Sequence, residues 1–490
     1  MTAILVVTIG TRDLMFQVES GTWYNIGNDR PQKDITVEQF KVAHDLKLPE
    51  GSTYREITKY LADHQDQYLD RLLPVIIGKL ISDQTAQIQQ LFLIGTDQPT
   101  AVKQREKDSI YSCELIKAWV EKKHNIATTI LPLCEDGTSP ADFEGMFQWW
   151  RKTWRNNISP SDVTEIWLGL AGGVGQTSEA GRISGLSLYG DRIKFFNFRQ
   201  DDTKNRAGYP SEYSEPFLGT NYLWDRTQQQ VLGMLDRYDY AGVQELLEPY
   251  LQNKKLGAVP NLLKAGIAWN RGEFDSFLQY AKSTNVLDTH QQQSQTWWWM
   301  AYEQAYLAVV RLKQNNTVEA MLHSFRAVEG CLLIWAKDAL GNHFQDNQQD
   351  SPRVLNSILG SHPKLKNSFK SKKPEKKERG EIEADALWML ISVQRGILKV
   401  FLPAALEGDF EYFWSDDCRR KRNEMSHRIG GMSEKELFSA WGEDIKDRSQ
   451  WAARILACLN ILTGQSFKSL SDASLFDKVQ KKVKEAIEQF

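Results

Sequence analysis

The stretch "IWLGLAGGVGQTSEAG", residues 166–181, predicts a buried strand, a glycine-rich turn and the start of a helix. Such a turn presents backbone N–H groups to an anion at a helix N-terminus, and its glycines allow close approach and positive φ. Gln176 replaces the lysine of a Walker loop, Leu170 replaces its first glycine, and the dinucleotide-binding spacing is also absent. The loop therefore favours single, spaced phosphates over a triphosphate. The residues expected to contact them are Gly172, Gly173, Val174, Gly175, Gln176 and Thr177.

Short apolar runs rich in β-branched residues flank this turn, with amphipathic stretches between them. They occupy residues 4–9, 91–94, 127–133, 164–170 and 193–198. Apolar strands alternating with helices predict a parallel sheet covered on both faces. We expect an α/β plus all-α protein, with a Rossmann-like domain over residues 1–200, a polar linker over 201–220 and an α-helical domain over 221–490 without strands.

Two further loops follow strands of the predicted sheet. "TIGTRD" provides Gly10, Thr11 and Arg12, and "LIGTDQPT" provides Gly95, Thr96, Asp97 and Gln98. Doubly wound sheets bind ligands beyond the carboxyl ends of their strands, where the strand order reverses. We therefore predict one binding site formed by the three loops. The alternative is a set of ordinary strand-to-helix turns in which threonine caps the next helix.

Residues 12–60 have weak periodicity and suggest an insertion after the first strand, with a β-hairpin around "TWYNIGNDR". The longest helices of the second half are expected at residues 294–313, 317–340, 383–402 and 446–464. The lysine-rich run 364–381 predicts either a solvated loop or an electropositive lip that holds RNA.

Composition limits the class of protein. The chain has 490 residues, 41% of them hydrophobic and 25% charged, with a net charge of −3, as in an ordinary soluble protein of several domains. No apolar run is long enough for a signal peptide or a membrane span. The 5 scattered cysteines form neither a disulfide framework nor a metal-binding pattern. We therefore expect a cytoplasmic protein with reduced thiols, no metal and no membrane partner.

The stretch "YFWSDDCRRKRNEMSHRIGG", residues 412–431, predicts a loop leading into a helix. Asn423 and His427 are about 40° apart on the helical wheel, and Arg422 is about 140° from His427. A histidine can move the proton of an RNA 2′-hydroxyl, and an arginine can stabilise the phosphorane, giving a 2′,3′-cyclic phosphate without a metal. Two copies facing across a two-fold axis would complete so small a site. The alternative is a basic surface helix with an incidental histidine.

Together, "GLAGGVGQT" at 169–177 and "RNEMSH" at 422–427 resemble the CARF–HEPN ribonucleases of type III CRISPR systems, and the order of the domains agrees. The resemblance implies a homodimer that binds a cyclic oligoadenylate across its two CARF domains and cleaves single-stranded RNA with its HEPN domains. Arg422, Asn423 and His427 match the HEPN motif, and Gly172, Gly173 and Gly175 match the CARF loop.

The resemblance implies a cyclic oligoadenylate activator. We favour the tetra-adenylate over the hexa-adenylate, although the sequence does not give the ring size, and we expect no cofactor. Two other functions remain open. The chain would act as a ring nuclease if its first domain degraded the cyclic nucleotide, with Thr11, Arg12 or Gln176 taking part. A non-catalytic nucleotide sensor would instead recruit a partner through its helical half.

Overall fold

The computed structural model describes residues 2–27, 36–158, 165–251, 253–287, 292–345, 353–355, 357–366, 386–388, 391–406 and 408–490. The chain forms two compact units, Met1–Asp225 and Arg226–Phe490. The fold is mixed α/β, with one six-stranded, mostly parallel sheet and many helices.

The first unit contains strands β1 (Ala3–Thr8), β2 (Leu14–Gln17), β3 (Trp23–Asn25), β4 (Leu72–Pro74), β5 (Ile88–Thr96), β6 (Ala127–Leu133), β7 (Glu165–Gly169), β8 (Ile193–Phe195), β9 (Phe198–Arg199), β10 (Glu212–Tyr213) and β11 (Phe217–Leu218). Its helices are α1 (Thr36–Asp45), α2 (Tyr54–Asp63), α3 (Gln65–Tyr68), α4 (Gly78–Gln84), α5 (Ile110–His124), α6 (Phe143–Asn156), α7 (Gly175–Tyr189) and α8 (Asp202–Arg206). Helix α9 (Gly219–Asp236) contains the boundary between the units.

The main sheet has the order β11-β8-β7-β1-β5-β6, and only its edge strand β11 is antiparallel. Alternate residues of β1 enter different cores: Leu5 and Val7 pack on one face, and Ile4 and Val6 on the other. This period of two follows from the alternation of side chains along a strand. Burial on both faces explains why the strands appear in the sequence as continuous apolar runs.

The segment between β1 and β5 forms a second, three-stranded antiparallel sheet in the order β3-β2-β4. A hairpin is present, but its turn covers residues 18–22, and Trp23–Asn25 forms its second strand. Residues 28–35 lie outside the described part of the chain. The expected position of the hairpin was therefore wrong by several residues.

The expected linker over 201–220 is also corrected. Asp201 caps α8 by accepting from the N–H groups of Thr203 and Lys204, and β11 pairs with β8 at the edge of the main sheet. Because these backbone groups are satisfied by regular structure, the segment is part of the first compact unit. Its polar composition reflects an exposed position rather than a loose connection.

The second unit continues with helices α10 (Tyr240–Leu247), α11 (Val259–Asn270), α12 (Phe274–Lys282), α13 (Trp299–Lys313), α14 (Thr317–Leu340), α15 (Ile358–Ser361), α16 (Ile391–Phe401), α17 (Asp409–Trp414), α18 (Asp416–His427), α19 (Glu434–Ser439), α20 (Arg448–Thr463), α21 (Leu470–Ala473) and α22 (Phe476–Glu488). It also contains a small antiparallel sheet of β12 (Phe344–Gln345), β13 (Arg353–Leu355) and β14 (Ala386–Trp388). The expectation of no strand here was therefore wrong: strands of two or three residues are too short to show a period of two.

The carboxylate of Glu303, in the second unit, is fully buried. Glu303 on α13 accepts hydrogen bonds from Trp269 Nε1 at 2.8 Å, from Ser474 Oγ at 2.7 Å and from the N–H of Leu475 at 2.5 Å. Burial nevertheless raises its pKa to about 7, because desolvation outweighs these donors. Glu303 thus joins α11 and α13 to the start of α22.

Candidate functional sites in the two units

The strand order of the first unit reverses next to β1. The chain passes from β1 to β5 and β6 on one side, then returns to β7 on the other side of β1. The loops after β1 and β7 therefore leave neighbouring parallel strands at the same edge, which is where ligands bind in doubly wound sheets.

These two loops pack glycine against glycine. A Cβ atom on Gly10 would lie 2.5 Å from the backbone N of Gly173, and one on Gly172 would lie 2.5 Å from the carbonyl O of Thr8 and 2.6 Å from the N of Gly10. Neither position has space for a side chain, so these glycines allow the loops to touch each other. Gly173 has a φ of +85°, which favours glycine independently.

Asp13 organises the same contact, and the sequence-based reasoning missed it. Its Oδ2 accepts from the N–H of Gly10 at 2.7 Å, and its side chain is buried against Gly172. The only indication in the sequence was an acidic residue directly after the predicted Thr11 and Arg12. Thr11 is itself buried, whereas the side chain of Arg12 is 32% exposed, with Asp202 Oδ1 at 4.0 Å.

The loop after β5 uses its predicted side chains internally. Thr96 Oγ1 accepts from the N–H of Ser109 at 3.2 Å, and Gln98 Nε2 donates to Asp108 Oδ1 at 2.8 Å. A Cβ on Gly95 would lie 2.5 Å from Cys113 Sγ, so this glycine permits packing on α5. The loop therefore shapes the sheet edge mainly through its backbone.

An arginine from the insertion holds this loop in place. Arg55 on α2 forms ion pairs with Asp97 at 2.7 Å and with the buried Asp108 at 3.1 Å, and it stacks on Tyr111. Arg55 and Asp108 were not predicted, because their positions in sequence do not show that they converge on Asp97.

The glycine-rich loop after β7 presents two surfaces. Thr177 points inward, with its Oγ1 donating to the carbonyl O of Pro140 at 2.8 Å. Gly173, Gly175 and Gln176 are exposed, and Val174 is half-buried at the start of α7 without a side-chain cap. The first N–H groups of a 15-residue helix therefore lie at the sheet edge, an arrangement suited to an anionic ligand.

In the second unit, α18 carries the predicted Arg–His pair, but its two members have opposite environments. The side chain of Arg422 is 10% exposed. Its guanidinium lies 4.5 Å from the ring centre of Phe325 and 4.4 Å from that of Phe413, and Nη2 donates to the carbonyl O of Phe413 at 2.9 Å. Burial lowers the pKa of Arg422. Glu329 Oε1 lies 3.6 Å from Nη1 of Arg422.

These contacts hold Arg422 strongly against the domain. A cation–π contact shielded from water contributes about 2 kcal/mol, and a hydrogen bond to a charged group contributes about 1.5–3 kcal/mol. Extracting the side chain would therefore cost several kcal/mol. Phe325, Phe413 and Glu329 were not predicted, because they come from α14 and α17.

His427 lies at the exposed end of α18, near an open concavity of about 1040 Å³. The concavity is lined by Asp416, Arg419, Arg420, Asn423, Glu424, His427 and Arg428. Of the three predicted catalytic residues, the structure brings Asn423 and His427 to one surface and places Arg422 inside the domain. The turn of the helix, about 100° per residue, explains the separation.

The remaining expectations concern the lysine-rich run, metal ions and membrane spans. Residues 367–381 of the lysine-rich run lie outside the described part of the chain. Within the described ranges, no group of three or more histidine, cysteine, aspartate or glutamate side chains is arranged to hold a metal ion. Among the described helices, none combines the length and apolarity required to cross a membrane.

No protein-family model and no curated protein matches the chain. Among solved structures, it is similar to Enterococcus italicus Csm6 bound to cyclic hexa-2'-fluoro-hexa-dAMP, with a TM-score of 0.59, 11% sequence identity and 99% of each chain covered. At this identity the similarity establishes the fold, and it does so over nearly the whole chain.

Proposed function

We propose that the chain is a cyclic-oligoadenylate-activated endoribonuclease of the CARF–HEPN type, acting in CRISPR-associated defence as a homodimer. The observation that carries the proposal is the arrangement at the sheet edge. Two loops pack against each other through their glycines, beside the N-terminus of a helix that has no side-chain cap. That edge offers backbone donors to spaced phosphates. The similar Csm6 structure holds a cyclic hexanucleotide, which has this chemistry.

The proposed reaction follows from His427 and the phosphodiester of RNA. His427 takes the proton of a 2′-hydroxyl, the 2′ oxygen attacks phosphorus, and the bond from phosphorus to the 5′ oxygen breaks. A proton returns to that leaving oxygen, giving a 2′,3′-cyclic phosphate and a 5′-hydroxyl. The cycle consumes no cofactor, and Asn423 lies on the same helical face, where its amide can bind a phosphate oxygen.

The test is cleavage of a fluorogenic single-stranded RNA in EDTA with no activator, cyclic tetra-adenylate or cyclic hexa-adenylate. We expect cleavage that requires one ring, and a loss of about 10³-fold in His427→Ala, the usual scale for removing a general acid–base group. His343→Ala, which removes another histidine of the second unit, is the matched control. Retained activity in His427→Ala would refute the assignment of His427.

A second candidate is a non-catalytic sensor, favoured by the burial of Arg422 away from the surface on which His427 lies. It predicts binding of a cyclic oligoadenylate without RNA cleavage in either the wild type or His427→Ala. Calorimetric titration with both rings, run beside the cleavage assay, separates the two functions.

A further inference from the structure

Arg420 and Arg422 lie two residues apart on α18, but the side chain of Arg420 is exposed and that of Arg422 is buried. Arg422 is enclosed by Phe325 and Phe413, and its guanidinium donates to a backbone carbonyl. It does not line the concavity beside His427. A side chain held in this way fixes the helix on the domain, so it is poorly placed to meet an RNA phosphate at that surface.

Arg420 shares the helical face of His427. Seven residues of helix rotate by about 700°, so the two side chains leave α18 only about 20° apart, separated by about 10 Å along the axis. Both line the concavity, with Asn423 between them. Consecutive phosphates of a single strand lying along α18 could therefore contact His427 and Arg420 in turn.

The ion pair of Arg420 is exposed, so its guanidinium can exchange partners. Its side chain is 75% exposed, and its partner Asp417, three residues away, is itself about half exposed. Arg428, by comparison, is held by both Glu436 and the carbonyl O of Gly431. A phosphate can replace Asp417 at small cost, because an exposed local pair is weak.

We infer that Arg420 is the arginine that binds an RNA phosphate beside His427, and that Arg422 is a positioning residue that fixes α18 on α14 and α17. The inference rests on the proposed function for its substrate. The Arg–His spacing would place phosphate binding on Arg422. Instead, Arg420 binds the phosphate and Arg422 holds the helix in place.

The experiment measures kcat, KM and the salt dependence of KM for single-stranded RNA in the presence of the activating ring. Arg420→Ala should raise KM about tenfold with kcat within twofold. It should also reduce the slope of log affinity against log salt by about 0.7, the value for one phosphate contact on a single strand. Lys435→Ala, which removes an exposed charge from α19, is the control and should change KM less than twofold.

Arg422→Lys and Arg422→Met should lower kcat at least tenfold and leave KM and the salt slope unchanged. The lysine variant retains the charge but loses the planar stacking on two rings, and it serves if the methionine variant does not fold. An unchanged KM and slope in Arg420→Ala, or a reduced slope in Arg422→Met, would overturn the inference.

Fluorescence anisotropy of labelled RNA keeps this test separate from the proposed function. In a His427→Ala background, Arg420→Ala should weaken RNA binding about tenfold and Arg422→Lys less than twofold. If the wild type cleaves nothing but this difference in binding appears, the proposed reaction fails while the assignment of Arg420 stands. Equal binding by the Arg420→Ala variant and its parent would refute the assignment whether or not RNA is cleaved.

Discussion

The sheet edge of the first unit and the surface of α18 gather their residues in opposite ways. At the sheet edge, residues far apart in sequence meet: Gly10 touches Gly172, and Arg55 reaches Asp97 and Asp108. On α18, Arg422 and His427 are five residues apart and lie in different environments. Parallel strands bring their ends together, whereas a helix turns neighbouring side chains away from each other.

The same comparison separates side chains that are engaged from side chains that are accessible. The predicted Thr96, Gln98 and Thr177 bond within the protein, whereas Asn423 and His427 face solvent. The first group of side chains stabilises loops of the first unit, and the second group is accessible on the surface of the second unit. Substitutions should consequently act through structure at the sheet edge and through chemistry at the exposed positions of α18.

The largest effect on stability is expected from Gly172→Ala. The added Cβ meets two backbone atoms at 2.5 and 2.6 Å, which cannot move independently. We expect a loss of about 3 kcal/mol in the free energy of unfolding and at least a 100-fold loss of cyclic-oligoadenylate affinity. Gly175→Ala is the matched control for stability, since no atom lies within 4 Å of the added Cβ. Equal melting temperatures for the two variants would break the comparison.

An effect of similar size is expected from pH, through Glu303. Its pKa is about 7 in the folded protein, whereas the ordinary value for a glutamate, expected in the unfolded chain, is 4.5. The folded protein therefore binds more protons than the unfolded chain between these values, and its stability falls as pH rises through this window, by about 3 kcal/mol at most. Below pH 4.5 this contribution is fully present.

Glu303→Gln should remove this part of the pH dependence, because an amide does not titrate. Denaturant unfolding at pH 5 and at pH 8 measures it for both proteins. Parallel pH profiles for the wild type and the variant would exclude Glu303 as the source.

The smallest effects should come from exposed charges, and a matched pair of variants sharpens the contrast. Arg55→Ala leaves the buried Asp108 without its cation, for an expected loss of about 2 kcal/mol. Arg419→Ala breaks an exposed pair with Asp416 and should change stability by less than about 0.5 kcal/mol. Both are measured by denaturant unfolding. Similar losses in the two variants would contradict the division into engaged and accessible side chains.

The sequence by itself determined the parallel sheet, the three loops at its edge and the existence of α18. Long apolar strands and the order strand, glycine turn, helix are local patterns, and the pairing rules of parallel strands convert them into a shared edge. The positions of α13, α14 and α20 were likewise close to those expected from their apolar periodicity.

Only the tertiary structure decided what each predicted residue does. Asp13 and Arg55 join the sheet edge through contacts with residues far along the chain, and the segment expected as a linker extends the sheet. Arg422 is enclosed by rings from two other helices. The physical reason is common to all of them: periodicity sets the face on which a residue lies, but its burial and partners depend on which elements pack against that face.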